Sequence, residues 1–108
     1  MNGPVPLQRG RVYAAVLSTI GEEKYFLVVS NNQRNVHLPS VLAVRLTTSP
    51  KPQLPSIVEL ASTDGFVGRV VCDDIIELFP DEVTRDLGAL SAGAMMRVNR
   101  GLGAALGM

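Results

Sequence analysis

The apolar pattern of the chain is centred on residues 24–32, which read Lys-Tyr-Phe-Leu-Val-Val-Ser-Asn-Asn. Five consecutive apolar residues, rich in aromatic and β-branched types, give way to a polar run that continues to Asn35. An uninterrupted apolar run of this length indicates a strand covered on both faces, at the centre of a sheet or barrel. The strand carries a cation, Lys24, at its start and an amide-rich loop at its exit. Rigid strands with polar ends are common in binding sites, so this strand is a candidate for one.

Shorter apolar segments on either side of this strand predict the rest of a β-protein. The further strands cover residues 12–17, 41–48, 57–60 and 68–72, with an irregular stretch or a short sixth strand over 75–79. In the strand over 41–48, alternation puts Arg45 and Thr47 on one face. Three prolines make residues 49–55 an exposed loop, because each proline removes a backbone donor that a sheet interior needs.

Two helices are predicted near the C-terminus. Residues 80–82 have the composition of a helix first turn, so a short helix is expected to continue to Leu87 and to stop at Gly88. The final helix begins after an N-cap, Ser91, and ends at Gly107. Its apolar face consists of Met95, Val98, Leu102 and Ala105 or Leu106, and its outer side carries Arg97 and Arg100. The pattern predicts a mainly β fold with short helices: a small barrel capped by a C-terminal amphipathic helix.

Length and composition fit one globular domain. The chain has 108 residues, of which 46% are hydrophobic and 19% charged. We expect residues 1–8 to be a flexible N-terminal arm and residues 9–108 to be the domain. No apolar run approaches the length of a membrane span, and a single cysteine, Cys72, suits the reducing cytoplasm. The sequence thus predicts a cytoplasmic protein with no membrane segment.

Charge adds an asymmetry between the two halves. Residues 1–60 hold six basic against three acidic residues, and residues 61–108 hold four basic against seven acidic residues. The formal net charge is zero, which argues against coating nucleic acid through bulk charge. A polyanion that binds here is therefore expected on the first half, although solvated surface charge alone would give the same count.

Common catalytic sets are mostly missing from the sequence. One histidine, His37, and one cysteine cannot form a structural zinc site, and no glycine-rich phosphate loop precedes a helix. Asp73 and Asp74 point to opposite faces of a strand, so a shared metal ion is not expected. What remains is a set of cations, amides and hydroxyls that suits a flexible polyanion: Lys24, Asn31, Asn32, Arg34, Arg45, Thr47 and Thr48. By spacing alone, a solvated barrel rim explains this set better than a binding site does.

Four segments resemble the MazF/PemK family of type II toxin–antitoxin toxins. Residues 9–13 are similar to its "RG-x-V/I-W/Y" opening, and residues 27–32 to its "(V/L)VVSN(D/N)" strand and loop. Residues 44–48 resemble its "V-x-(I/L)-T-(S/T)" strand, and residues 87–107 its "LG-x-LS…M…V…ALGL" tail. Each match alone is unspecific, but the four occur in the family's order and spacing.

The resemblance implies an SH3-like barrel of the CcdB/PemK/MazF type that works as a homodimer. It implies a cytoplasmic endoribonuclease that cleaves single-stranded RNA at short preferred sequences, so that translation and growth stop. The reaction would use the 2′-hydroxyl of the RNA as nucleophile, with no metal or other cofactor. The partner would be a cognate antitoxin protein whose C-terminal segment covers the RNA groove.

By the same resemblance, Lys24 takes the place of an arginine that assists phosphoryl transfer, and Thr47 takes that of its partner hydroxyl. The contacts to RNA would come from Asn31, Asn32, Arg34, Arg45 and Thr48. The sequence departs from the family where Tyr25 replaces a proline and where residues 74–76, Asp-Ile-Ile, replace "Gln-Ile-Arg". Tyr25 and Phe26 are interpreted as core residues by burial preference.

Two other function classes remain open at this point. The same barrel could be a non-enzymatic CcdB-like toxin that binds DNA gyrase through its terminal helix, a reading that the arginine-to-lysine change favours. It could also be an SH3-like interaction module without toxicity. The Ser-Asn-Asn loop and the strand with Thr47 match the ribonuclease branch better.

Overall fold

Residues 6–108 are described by a computed structural model, in which six strands and two α-helices follow one another. The strands are β1 (Arg11–Val16), β2 (Glu23–Val28), β3 (Val41–Thr47), β4 (Ile57–Glu59), β5 (Arg69–Leu78) and β6 (Val83–Ala89). The helices are α1 (Asn32–His37) and α2 (Ala92–Leu106), and single 3₁₀ turns cover Ser62–Asp64 and Pro80–Glu82. The strands pair antiparallel in one sheet with the order β4-β5-β3-β2-β1-β6.

The prediction of a small barrel-like β fold with a C-terminal helix is confirmed. The sheet does not close, since β4 and β6 are its two edges. The central position of β2 is also confirmed, because Phe26, Leu27 and Val28 are at most 2% exposed. Alternate residues of β2 serve two cores: Leu27 packs on the side that α2 covers, and Phe26 and Val28 pack on the other side.

Helix α2 follows the predicted pattern closely. The Ser91 Oγ accepts a hydrogen bond from the Ala94 amide at 3.1 Å, and Gly107 ends the helix in the left-handed conformation. Val98 is fully buried in the core that includes Leu27. Arg97 differs from the prediction, because it does not face only solvent: its Nη2 lies 2.6 Å from the Asp64 carboxylate.

The predicted helix over residues 80–87 is wrong. Only Pro80–Glu82 form one 3₁₀ turn, and Val83–Ala89 form β6, which pairs with β1. Composition identified the acidic first turn correctly, but the free edge of β1 offers backbone hydrogen bonds that continue the chain as a strand.

Two loop assignments also need correction. The amide-rich segment after β2 is not a loop but the short helix α1. Residues 75–79 are not a separate strand, because residues 75–78 belong to β5. A register shift opposite Val44 and Arg45 leaves residues 72–74 without partners on β3, so the Asp73–Asp74 interruption is a bulge within one strand.

Most of the predicted N-terminal arm, residues 1–8, lies outside the described residues. Within the described part, Leu7 is buried and packs with Tyr13 and Phe26. The loop at residues 49–55 is exposed as predicted. No helix among residues 6–108 is long and apolar enough to cross a membrane.

Candidate functional site

A groove of about 560 Å³ lies where β2 begins and β3 ends. The segment between β4 and β5 supplies its other wall. Its lining is formed by Glu23, Lys24, Tyr25, Arg45, Leu46, Thr47, Thr48, Ser49, Ser62, Gly65, Phe66 and Val67. Four of the predicted site residues, Lys24, Arg45, Thr47 and Thr48, are therefore brought together in one concave site.

Strand register puts the two predicted catalytic residues opposite each other. Tyr25 of β2 pairs with Leu46 of β3, and one further step of the same antiparallel register sets Lys24 opposite Thr47. Residues directly opposite on neighbouring antiparallel strands carry Cβ atoms about 5 Å apart on the same face. The ammonium of Lys24 and the hydroxyl of Thr47 can thus reach a common ligand.

Local contacts leave both groups available. The Thr47 Oγ1 accepts a hydrogen bond from the Ser49 amide at 3.1 Å, so its own proton is free for another acceptor. Among residues 6–108, the Lys24 ammonium is held only by an ion pair with Glu22, at 3.2 Å, and the Glu22 side chain is largely exposed. An exposed pair of this kind contributes little free energy and can be exchanged for a ligand anion.

Arg45 supplies a second cation to the groove. Its Nε is buried and has no hydrogen-bond partner among the described residues. A buried donor without an acceptor costs free energy. An anionic ligand that accepts a hydrogen bond from the guanidinium would offset this cost. By contrast, Arg11, Arg69, Arg85 and Arg97 are each paired with a carboxylate.

A cluster at the beginning of β2 was not anticipated from the sequence. Glu23 accepts hydrogen bonds from Thr84 Oγ1 at 2.6 Å and from Arg85 Nη2 at 2.8 Å. Both bonds lower the pKa of Glu23, and the bond from Arg85 has the larger effect. The bonded Glu23 carboxylate, and after it the nearby Tyr25, raises the pKa of Arg85. The sequence pattern does not reveal this cluster, because it predicts a helix over residues 80–87 where the structure has β6 beside β1.

Tyr25 is not a core residue, so that interpretation is wrong for it and correct for Phe26. The Tyr25 side chain is 38% exposed and lines the groove, while Phe26 is 2% exposed. The burial preference of aromatic residues misled here because Tyr25 stands where β2 leaves the core.

Three predicted RNA contacts are not brought to the groove. Asn31 caps α1 by accepting from the amides of Gln33 and Arg34, and Asn32 Oδ1 accepts from the Arg9 amide at 2.7 Å. The Arg34 Nη1 donates to the Ser40 carbonyl at 2.9 Å. These residues follow the far end of β2, roughly 20 Å from Lys24 by strand rise. Their bonds hold the turn between β2 and β3.

The other reactive side chains lie apart from the groove. His37 Nδ1 is 2.8 Å from the Gln33 carbonyl on the exposed side of α1. Cys72 is buried, and burial raises the pKa of its thiol to about 11, as a core residue requires. Asp73 accepts a bond from Ser56 at 2.6 Å. Among residues 6–108, no three histidine, cysteine or acidic side chains converge as metal ligands do.

The fold and the groove define a small antiparallel β-protein that presents two cations and several hydroxyls at a strand junction. The family model of the PemK-like, MazF-like toxin of type II toxin–antitoxin systems matches residues 8–106. The chain belongs to this family.

Relatives of known name or structure agree with this family. The chain is 39% identical over 108 residues to "Endoribonuclease MazF1" of Mycobacterium bovis, a match that covers 100% of this chain and 97% of that protein. A solved structure named as an endoribonuclease in complex with its cognate antitoxin, from a mycobacterial species, is 39% identical and superposes with a TM-score of 0.86. That match covers 96% of this chain and 97% of the solved chain. The solved MazF of Deinococcus radiodurans shares the fold, with a TM-score of 0.81 at 22% identity. That match covers 97% of this chain and 100% of the solved chain.

Proposed function

We propose that this protein is the toxin of a type II toxin–antitoxin system and acts as a metal-independent endoribonuclease on single-stranded RNA. The observation that carries the proposal is the register that sets Lys24 opposite Thr47 in a groove that also contains Arg45. Membership in the toxin family and the names of full-length relatives support the same activity.

The proposed reaction is an internal transesterification. Solvent water takes the proton of the RNA 2′-hydroxyl, the resulting oxygen attacks the adjacent phosphorus, and the bond to the 5′-oxygen of the next nucleotide breaks. Negative charge grows on the phosphoryl oxygens and on the leaving oxygen. Lys24 stabilises this charge or donates a proton to the leaving oxygen, and the free proton of Thr47 bonds a phosphoryl oxygen. The products are a 2′,3′-cyclic phosphate and a 5′-hydroxyl.

Arg45 and Thr48 are proposed to hold the phosphates on either side of the cut. Arg45 has a guanidinium without a carboxylate partner among residues 6–108, which suits an anion. Glu23 is an unsuitable general base, since its bonds to Arg85 and Thr84 lower its pKa. We assign to it the role of holding Arg85.

Cleavage of a long single-stranded RNA in excess EDTA tests the proposal. Discrete cuts with 2′,3′-cyclic phosphate and 5′-hydroxyl ends are expected, and their mapping gives the preferred sequence. Absence of cleavage at high protein excess, with a folded protein, would overturn the ribonuclease assignment. Inhibition of DNA supercoiling by gyrase would then identify the CcdB-like alternative, which the family match and the named relatives do not favour.

The proposed assembly is a cytoplasmic homodimer held inactive by an antitoxin. A sedimentation mass near twice 11.5 kDa is expected for the free protein. The antitoxin would place a disordered acidic and apolar tail over the groove, which is lined by the cations Lys24 and Arg45 and by the apolar Phe66 and Val67. Removal of that tail from the antitoxin should abolish inhibition, and unchanged affinity of the truncated antitoxin would contradict this arrangement.

A further inference from the structure

The aromatic ring at the start of β2 has a position that phosphoryl transfer does not explain. Tyr25 directly follows Lys24 and is 38% exposed within the groove. Its cross-strand neighbours are Ala14 of β1 and Leu46 of β3. Ala14 carries only a methyl group, so it cannot cover a phenol ring. The ring is thus left open to a ligand in the groove.

A bonded cation and carboxylate lie beside this ring on the same face of the sheet. Arg85 of β6 pairs with Ala14, so Tyr25, Ala14 and Arg85 lie in one row across three strands and on one face. Arg85 Nη2 donates a hydrogen bond at 2.8 Å to Glu23, which shares this face two residues away from Tyr25 along β2. Bonded neighbours on both sides restrict the positions open to the ring, so it loses less conformational freedom when a planar ligand stacks on it.

We propose that Tyr25 is a nucleobase platform that sets sequence preference, with Arg85 and Glu23 as its positioning residues; this rests on the proposed function. Single-stranded RNA is read by stacking of unpaired bases on aromatic rings beside cations that hold the phosphates. Tyr25 provides the ring, Lys24 and Arg45 provide the cations, and Phe66 and Val67 provide an apolar wall across the groove.

The alternative is that Tyr25 only fills the floor of the groove with apolar volume. Substitutions that separate shape from aromatic character distinguish the two roles. Tyr25→Phe keeps the ring and loses only the hydroxyl, whereas Tyr25→Leu keeps apolar volume and loses the ring. Phe79→Leu is the matched control, because Phe79 is also 38% exposed but does not line the groove.

The probe is a short RNA containing the mapped cut site, with a 2′-deoxynucleotide at the cut so that it binds without reacting. Loss of one stacked base typically weakens binding about 5- to 100-fold. We expect Tyr25→Leu to weaken binding by that factor, Tyr25→Phe to weaken it less, and Phe79→Leu to leave it unchanged. In cleavage assays KM should rise far more than kcat falls.

Replacement of single bases by abasic nucleotides then locates the contact. In the wild-type protein one abasic position should weaken binding by a similar factor, and in Tyr25→Leu that same replacement should have no further effect. Tyr25→Leu binding as tightly as wild type, or additive losses at every position, would overturn the proposal.

If the wild-type protein cuts no RNA, the proposed function fails, and fluorescently labelled random single-stranded 12-mers replace the mapped probe. If Tyr25→Leu binds these random oligonucleotides as tightly as the wild-type protein does, the nucleobase-platform proposal is also overturned.

Discussion

At the scale of single residues, the proposed chemistry depends on one ammonium and one hydroxyl. Lys24 lacks the bidentate fork of an arginine, yet it keeps the positive charge opposite Thr47. Stabilisation of developing charge by such groups is usually the largest contribution of an enzyme to lowering the barrier.

Lys24→Ala and Thr47→Ala should each lower kcat for RNA cleavage by about 10²- to 10³-fold, as does loss of a charge-stabilising donor in other enzymes. Lys24→Arg should retain activity, because it restores a cation that can also bond bidentately. Lys51→Ala removes a cation from the exposed loop over residues 49–55 and serves as the control. Initial rates on a mapped RNA substrate provide the measurement, and undiminished cleavage by both alanine variants would contradict the mechanism.

Two glycines of α2 illustrate how local preference and packing can oppose each other. Glycine in a helix interior costs roughly 1 kcal/mol relative to alanine, so sequence alone predicts a gain from replacing either one. A Cβ at Gly101 would lie 2.8 Å from Cys72 Sγ and 3.0 Å from Val58 Cγ2, whereas at Gly103 the nearest atom is 3.5 Å away.

Gly101→Ala should therefore lower the free energy of unfolding by about 1–3 kcal/mol, as overpacking of a core does. Gly103→Ala should raise it by up to roughly 1 kcal/mol, and it is the matched control. Urea denaturation of the two variants measures both. Equal stabilisation by the two substitutions would show that α2 can move away from β4 and β5 without cost.

At the scale of elements, the buried carboxylate of Asp64 fastens the turn after β4 to α2. Asp64 is 6% exposed and accepts from the Ala61 amide at 2.7 Å, from Ser91 Oγ at 2.7 Å and from Arg97 at 2.6 Å. The bond from the Ala61 amide, followed by those from Ser91 and Arg97, lowers the pKa of Asp64 despite the opposing effect of burial. The same turn leads into the groove wall at Phe66 and Val67.

The stability that Asp64 contributes should therefore depend on pH. Because its pKa is lower in the folded state than in the unfolded state, the contribution is complete above about pH 4 and is lost as the pH falls through the folded-state pKa. Asp64→Asn should lower Tm at pH 7, and its difference from wild type should shrink at acidic pH. Asp74→Asn, at an exposed site, should shift Tm little at any pH. Parallel curves of Tm against pH for wild type and Asp64→Asn would contradict this role.

At the scale of the whole molecule, the charge asymmetry of the sequence is concentrated by the fold into a small site. Of the basic residues in the first half, the groove receives Lys24 and Arg45, while Arg34 is used to hold the turn after α1. A net charge of zero leaves RNA binding to these few contacts.

Salt dependence of RNA binding should reveal this small number of phosphate contacts. With two cations per groove, log K is expected to fall against log salt with a slope of about −1.4 for single-stranded RNA. Lys24→Ala should reduce that slope to about −0.7, and Arg34→Ala should leave it unchanged. Fluorescence anisotropy of a 2′-deoxy-blocked RNA over a salt series measures the slopes. A clearly shallower slope in Arg34→Ala would place RNA also along α1.

The sequence by itself determined the central strand, the terminal helix with its caps, and the family resemblance. These features follow from local rules of periodicity and capping, which need no knowledge of neighbours. The tertiary structure decided that residues 83–89 become a strand, since only pairing with β1 makes that conformation favourable. It also decided that Lys24, Arg45 and Thr47 share a groove with Tyr25, while Asn31 and Arg34 do not. Strand register and edge pairing bring together residues distant in the chain, and no pattern along a single strand contains that information.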